Sequence, residues 1–431
     1  MLRQLVLASL LAFSASSLCA QGPLTGKWIV TADYFGSRLY FSLDLDQQGE
    51  TLTGKTQNGA LEGSSDGSAF HFLIKDNDGG TQQVKGTVEN GMLRGEAVEA
   101  DPNSPVHPAT YTFVASRRPA RPTTPPQRHE FNPTVFYRQF SPFNKPVLTV
   151  NPGDTIHTTT VDAGGNDHDS IRRVLGGNPE TGPFYIESAM PGDTLVVHIV
   201  RLRLNRDWAM SDDDLVQRST DSGLAIKMKD GGKLVIWHLD LDHGTASPTK
   251  AAGHLAHYTV PLRPMLGCVA TAPGPTQAPP GTGDSGNYGG NMDFNQITEG
   301  ATVYLPVSNP GALLYLGDAH AAQGDGELNG NALETSMDVE FTVDVVPEKR
   351  PPAPRVETVT AIMAMGLGSI EEAFRGATSN MAQWLADDYQ LTPSEMAQVL
   401  GTAAQYHVSE AADRNAGMVL SIDKARLQTL R

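Results

Sequence analysis

Apolar and polar positions alternate with a period of two along most of this chain, and the period changes only near its end. Leu39-Tyr40-Phe41-Ser42-Leu43-Asp44-Leu45 alternates as a half-buried strand does, and Ala69-Phe70-His71-Phe72-Leu73-Ile74 reads as another. Val84-Lys85-Gly86-Thr87-Val88, the turn Asn90-Gly91 and the run from Met92 to Val98 read as a hairpin. Short strands at this even spacing predict a small antiparallel β-barrel-like domain over residues 22–118. It carries no grouping of residues suited to catalysis. Residues 119–128 include Ala-Arg-Pro-Thr-Thr-Pro-Pro, which can form neither a ladder nor a helix, so an extended, solvated linker is predicted.

From residue 129 strand-like runs return, among them Thr194 to Val200 and Leu234 to Leu239, in a setting rich in Gly and Pro. No long helical period interrupts them, so the core is expected to be a β-sandwich or barrel-like unit with long loops. Beyond about Arg355 the period becomes helical, with Ile370, Ala373, Phe374, Ala377, Met381, Trp384 and Leu385 on one stripe. Ser369 with Glu372, and Thr392-Pro393 with Glu395, are capping boxes that open two helices. Met396, Val399, Leu400 and Ala403 form the predicted buried face of the second. The expected fold is mainly β with a C-terminal helical segment, α+β overall, and residues 129–431 form one unit.

Length and composition add limits. At 431 residues, two or three domains are expected. Lys plus Arg total 32 against 48 for Asp plus Glu, which argues against nucleic acid as a partner. Arg3, the apolar run Leu5 to Phe13 and Leu18-Cys19-Ala20 read as a signal peptide over residues 1–20, cut near Gln21. The chain is therefore expected to be exported, to the periplasm or beyond. A retained N-terminal anchor is the alternative, and a lipoprotein would need Cys19 with an apolar residue where Ser16 stands. No later run is long enough to span a bilayer. With the signal removed, Cys268 is the remaining cysteine, so no internal disulfide is expected.

Polar residues with chemical potential crowd into the Gly-rich loops of the third stretch. Val161-Asp162-Ala163-Gly164-Gly165-Asn166-Asp167 follows a predicted strand, Asn178 to Glu187 a second polar run, and Gly289-Gly290-Asn291-Met292-Asp293 a third. The densest is Gly317 to Glu327, holding Asp318, His320, Gln323 and Asp325, followed by Gly330, Ala332 and Glu334. Such a His, Asp and Glu set with no thiolate suits Zn²⁺ or a harder divalent ion that activates water. Each Asp alone could equally be a turn residue bonded to its own backbone. No GxSxG elbow and no Gly-Lys-Ser phosphate loop is present.

Several of these segments, in order, resemble signatures of the acetamidase/formamidase family: TGPFYIESAMPGDTL (Thr181 to Leu195), RPMLGCVATAP (Arg263 to Pro273), GNYGGNMD (Gly286 to Asp293) and GDAHAAQGDGE (Gly317 to Glu327) with Gly330 to Glu334. The tail, with MAMGLGSIEEAF and WLADDYQLTPSEMA, is similar too. The resemblance covers roughly His129 to Arg431 and leaves out the N-terminal domain. It implies metal-dependent hydrolysis of a small linear amide to carboxylate and ammonia. Zinc is the first expectation for the metal, with calcium or magnesium as alternatives, and a homo-oligomer, most simply a dimer, for the assembly. Carried over by position, Asp162, His320 and Glu187 are expected metal ligands. Glu187, Glu334 and Asp318 are the expected catalytic carboxylates, and Asn291, Asp293 and Gln323 are expected to bind substrate or orient ligands. Ser188 departs from the family, which often has Gly there, and its side chain is expected to narrow the pocket or shift Glu187. Cys268 is expected to be a packing residue, with a nucleophilic role as the alternative. A secreted protein that binds a small molecule or glycan on the same fold, without catalysis, is the competing reading of the whole chain.

Overall fold

A computed structural model describes residues 24–56, 59–100, 106–228, 231–251 and 253–430. The expected signal peptide and Cys19 lie outside these residues. The chain divides into two compact units, one holding the chain up to Arg117 except Gly36–Tyr40, the other holding that short segment and Arg118–Arg431. Among the described residues no helix is long and apolar enough to cross a membrane.

The first unit is a closed antiparallel barrel of eight strands running from Gly26–Tyr34 to Ala109–Arg117. The last strand pairs with the first, Trp28 opposite Arg117, so no edge is left open. The predicted hairpin is present as Thr81–Glu89 and Met92–Ala100, and its turn residues Asn90 and Gly91 take φ of 52° and 75°, the pair of positive values that a type I′ turn needs. Alternation fills the interior with Trp28, Leu52, Phe70, Phe72, Leu93 and Phe113. A cavity of about 10 Å³ remains there, enough for one water at most, so side chains fill the barrel.

The second unit is mainly β, as the alternation predicts. A twelve-stranded and a nine-stranded sheet supply it. Met337–Val346, with Val339, Phe341 and Val343 turned inward, and Thr194–Leu204, with Val197 and Ile199 inward, come from the smaller sheet. They share one apolar cluster with Leu266, Val269, Leu314 and Leu316 of the larger sheet. The helices Ile370–Tyr389 and Pro393–Ala403 start at the two expected capping boxes. Ala373, Ala377, Met381, Trp384 and Leu385 are buried, whereas Ile370 and Phe374 are exposed. Phe374 instead stacks on Tyr406 at 4.6 Å. The tail is not helical to its end: Gln405–Val408 and Ala416–Asp423 return to the smaller sheet, so the helices brace a sheet that the tail itself extends.

The linker is extended but not free in solvent. Arg118 Nη2 meets the buried carboxylate of Asp193 at 2.5 Å, and Arg121 makes a two-pronged pair with Asp344 at 2.5 and 3.1 Å. A guanidinium just before the segment and one within it thus tie a stretch that composition alone marks as solvated.

One surface group ties pH to stability. His157, in the strand Thr155–Thr159, sets Nδ1 against Glu130 and Nε2 against Asp338. Both nitrogens face carboxylates, so the ring is best satisfied as imidazolium. Glu130 raises its pKa most, burial opposes this, and Asp338 adds to the rise. A raised folded pKa gives stability that is complete below the unfolded value and lost as pH rises through the folded one. His157→Gln is therefore expected to lower the melting temperature by a few degrees near pH 5.5 and by less near pH 8.5. A melting difference that grew with pH would contradict this.

Candidate metal and active centre

The centre grows from one strand. Leu314–His320 lies in the larger sheet, wholly buried, with Met265–Ala270 on one side. On its other side it pairs with Glu180–Ile186 along its first half and with Glu334–Thr335 at its end. This register sets Glu334 directly across from His320. Glycines make room where carboxylates converge. A Cβ on Gly267 would stand 2.3 Å from Asp293 Oδ1 and 2.5 Å from Asp318 Oδ2, and one on Gly317 would stand 2.3 Å from Glu180 Oε2. Any side chain there would displace an acid.

Gln323 orients the histidine. Its Nε2 donates to the carbonyls of Asp293 (2.5 Å) and Ser409 (3.2 Å), which leaves Oε1 to accept from His320 Nδ1 at 2.8 Å. Nε2 of His320 then faces Glu334 at 3.2 Å, Asp318 at 3.5 Å and Asp293 at 4.0 Å, aligned for a hydrogen bond with none of them. Three groups of potential ligands, of four among the described residues, lie at this centre, each within 4.8 Å: Asp318, His320 and Glu334; Asp293, His320 and Glu327; Asp293, Glu410 and Asp413. Shared members join them into one chain of acids, and Glu180 lies beside it next to Cys268.

This collection is electrostatically unbalanced. Both oxygens of Glu180 and of Asp318, Asp293 Oδ1, Glu334 Oε2 and Glu410 Oε1 are buried without a hydrogen-bond partner. Burial, then like-charged neighbours, push Glu180, Asp293 and Glu327 well above the usual carboxylate range. The same causes raise Glu334 to about 7, Glu410 to about 8 and Asp413 to about 6. Burial alone would lower His320, but Glu334 and Asp318 outweigh it and hold the ring well above its ordinary value. The nearby guanidiniums are otherwise engaged: Arg206 is committed to Asp162 at 2.8 Å and stacks on Trp208 at 3.7 Å. Arg218 donates to the carbonyls of Ala411 and Arg414, fixing the loop that carries Glu410 and Asp413. Buried carboxylates persist only if protonated, paired or bound to a cation. The donor set therefore fits a divalent ion.

The structure brings His320, Glu334, Asp318 and Asp293 together and places the other expected site residues differently. Glu187 is exposed beyond the end of Glu180–Ile186 and touches no member of the cluster. Ser188 turns the chain there with φ of 62°, so the family's glycine answers a left-handed backbone and not a crowded pocket. Asp162 is buried, but Arg206 and the backbone and side-chain amides of Asn166 occupy its oxygens; it neutralises an arginine and is no free ligand. Asn291 gives its amide hydrogens to Asp293 (2.6 Å) and Asp413 (2.8 Å), while its Oδ1 accepts from Asn178. Asn291 and Gln323 thus hold the acids and the histidine in place, with no donor left for substrate. Asp325 is exposed, against Asn295 and His407. Cys268 is buried in a cluster with Phe140, Ala270 and Tyr315, as a packing residue would be.

Glu180, Glu327, Glu410 and Asp413 escaped the sequence reading. Glu327 closes the GDGE run, and Glu180 sits at the start of the strand that Glu187 follows. Glu410 and Asp413 lie in a tail read for its helices, where two acids three apart gave no signal of their own.

Residues 280–366, which hold Asn291, Asp293, Asp318, His320, Gln323, Glu327 and Glu334, match the model of the Acetamidase/Formamidase family. The formamidase of Methylophilus methylotrophus is 23% identical over 341 residues, covering 62% of this chain and 83% of that protein. A crystal structure described as a predicted acetamidase/formamidase from Thermoanaerobacter tengcongensis aligns with a TM-score of 0.61 and 26% identity, over 71% of this chain and 98% of that one. The acetamidase of Bacillus halodurans aligns at 0.59 and 28%, over 70% and 99%.

Proposed function

We propose that the chain is a member of the acetamidase/formamidase family, which residues 280–366 and the aligned structures support, and that it is a metal-dependent amidase cleaving the C–N bond of a small linear amide, of the size of formamide or acetamide, to carboxylate and ammonia. The set of buried carboxylate oxygens without partners carries the metal dependence. Asp318, His320 and Glu334 offer the mixed nitrogen and oxygen donors that suit zinc. Asp293, Glu410 and Asp413 offer oxygens alone, which suit a harder ion such as calcium or magnesium. An ion held by these residues would supply Lewis-acid polarisation of an amide carbonyl and a water of lowered pKa.

The chain's own groups do the rest. Glu334 stands 3.2 Å from His320 Nε2; as the group that takes a proton and returns it to the leaving nitrogen it would act in place of being a ligand. Gln323 fixes the histidine tautomer, and Asn291 fixes two carboxylates. Burial of Asp293, Asp318, His320, Glu334 and Glu410 keeps bulk water from screening these charges.

Ammonia release from formamide, acetamide and longer amides, measured beside metal content, tests the reading. Turnover is expected to rise with bound metal and to fall at least tenfold after chelation. A metal-replete protein that released ammonia from none of these amides would overturn it, leaving a binding protein on this fold.

A further inference from the structure

A second cavity, of about 590 Å³, opens where helix Ile370–Tyr389 ends over the strands Thr302–Pro306 and Arg355–Glu357. No member of the carboxylate cluster lines it. Its volume is that of an ordinary small-molecule site.

Two rings form part of its wall, Trp384 and Tyr304, packed edge to face at 5.9 Å. Arg355 lines it as well, although only 9% of that residue is exposed. Its guanidinium lies 5.0 Å from the Trp384 ring centre, with Nε on Asn380 Oδ1 at 2.8 Å and Nη2 on the Asn380 carbonyl at 3.3 Å. Nη1 has no hydrogen bond, and no carboxylate lies within ion-pairing distance, among the described residues. Burial pushes this guanidinium below its usual range, and Asp387 and Asp388, neither in contact with it, oppose that only in part. A buried cation without a counter-ion is costly unless something anionic completes it.

The acids in the same wall are already engaged. Glu357 takes the Tyr304 hydroxyl at 2.6 Å and Lys424 at 2.6 Å, and Asp388 takes the Trp384 indole N–H at 2.9 Å. Lys349 adds a second positive charge from an exposed position. What the cavity lacks is a carboxylate in contact with Arg355, and what it offers beyond that is aromatic surface.

We propose that this cavity is a second ligand site, which takes a small organic carboxylate with a flat apolar body: the carboxylate on Arg355 and Lys349, the body along Trp384 and Tyr304. Planar guanidinium and planar carboxylate match in a way that a neutral ligand cannot imitate.

Isothermal titration of the full-length protein with benzoate, and with benzyl alcohol as a neutral molecule of similar shape, tests this. Saturable benzoate binding is expected, with benzyl alcohol at least tenfold weaker. Arg355→Gln should weaken benzoate at least tenfold and Lys349→Gln at least threefold, while His320→Ala should leave its binding unchanged. Arg355 also anchors Asn380, so if Arg355→Gln does not fold, the exposed Lys349 variant decides. Absence of saturable binding, benzyl alcohol as tight as benzoate, or affinity lost in His320→Ala but kept in Lys349→Gln would each overturn the proposal.

Discussion

Replacing His320 by alanine is expected to lower ammonia release at least about 10²-fold and to strip most bound metal, because second-layer changes alone cost 10–100-fold at such centres and this is the nitrogen donor itself. His320 belongs to two of the three ligand groups, so its loss empties both of their nitrogen. The cost does not stop at chemistry. His320 is the cationic partner nearest to Glu334 and Asp318, and without it their charges face one another with less compensation. The variant should therefore remain folded but melt earlier than the wild type in metal-free buffer. Gln323→Ala, which frees the ring without removing it, should show a smaller loss of turnover and of metal. Normal metal occupancy with full turnover in His320→Ala would remove the histidine from the centre.

Asp318→Asn should move activity and stability in opposite directions. Both Asp318 oxygens are buried without a partner, and Asp293, Glu334 and Glu180 press on the same space. An amide removes one charge and brings two hydrogens to acceptors that lack donors. In metal-free buffer the variant is expected to gain stability on the order of a few kcal/mol, the scale of the penalty for one buried ion. In metal the order reverses. The wild type should gain about 4 kcal/mol at a thousandfold excess over Kd, while the variant gains little and releases little ammonia. Melting curves with and without added zinc or calcium, beside turnover, decide it. A variant less stable than the wild type in metal-free buffer would show that these carboxylates are compensated in some other way.

Much of the fold was legible because it rests on local pattern. The barrel strands, the Asn90-Gly91 turn and both capping boxes follow from alternation, positive φ and cap chemistry, which act within a few residues. The centre was legible only in part. Asp318, His320 and Glu334 share one run, and strand pairing needs only to fold that run back for them to meet. Glu187 and Glu180 show where local reasoning stops. Both belong to one segment, but Glu180 faces the acids from inside the strand, and Glu187 lies past its end, where Ser188 turns the chain outward. Glu410 and Asp413 arrive from a tail distant in sequence, held by Arg218, and only tertiary packing brings them to Asp293. Asp162 illustrates the opposite case, a well-placed acid whose partner, Arg206, stands forty-four positions away and claims it.

The closure of the N-terminal barrel carries an evolutionary consequence. Its first and last strands are antiparallel neighbours, with Trp28 across from Arg117, so the chain enters and leaves the barrel side by side. Adjacent strand partners lie only about 5 Å apart. Such a domain is a portable cassette: it can be gained, lost or spliced into an exposed loop of another host without stretching the flanking chain, and its own ends could be joined and reopened elsewhere as a circular permutant.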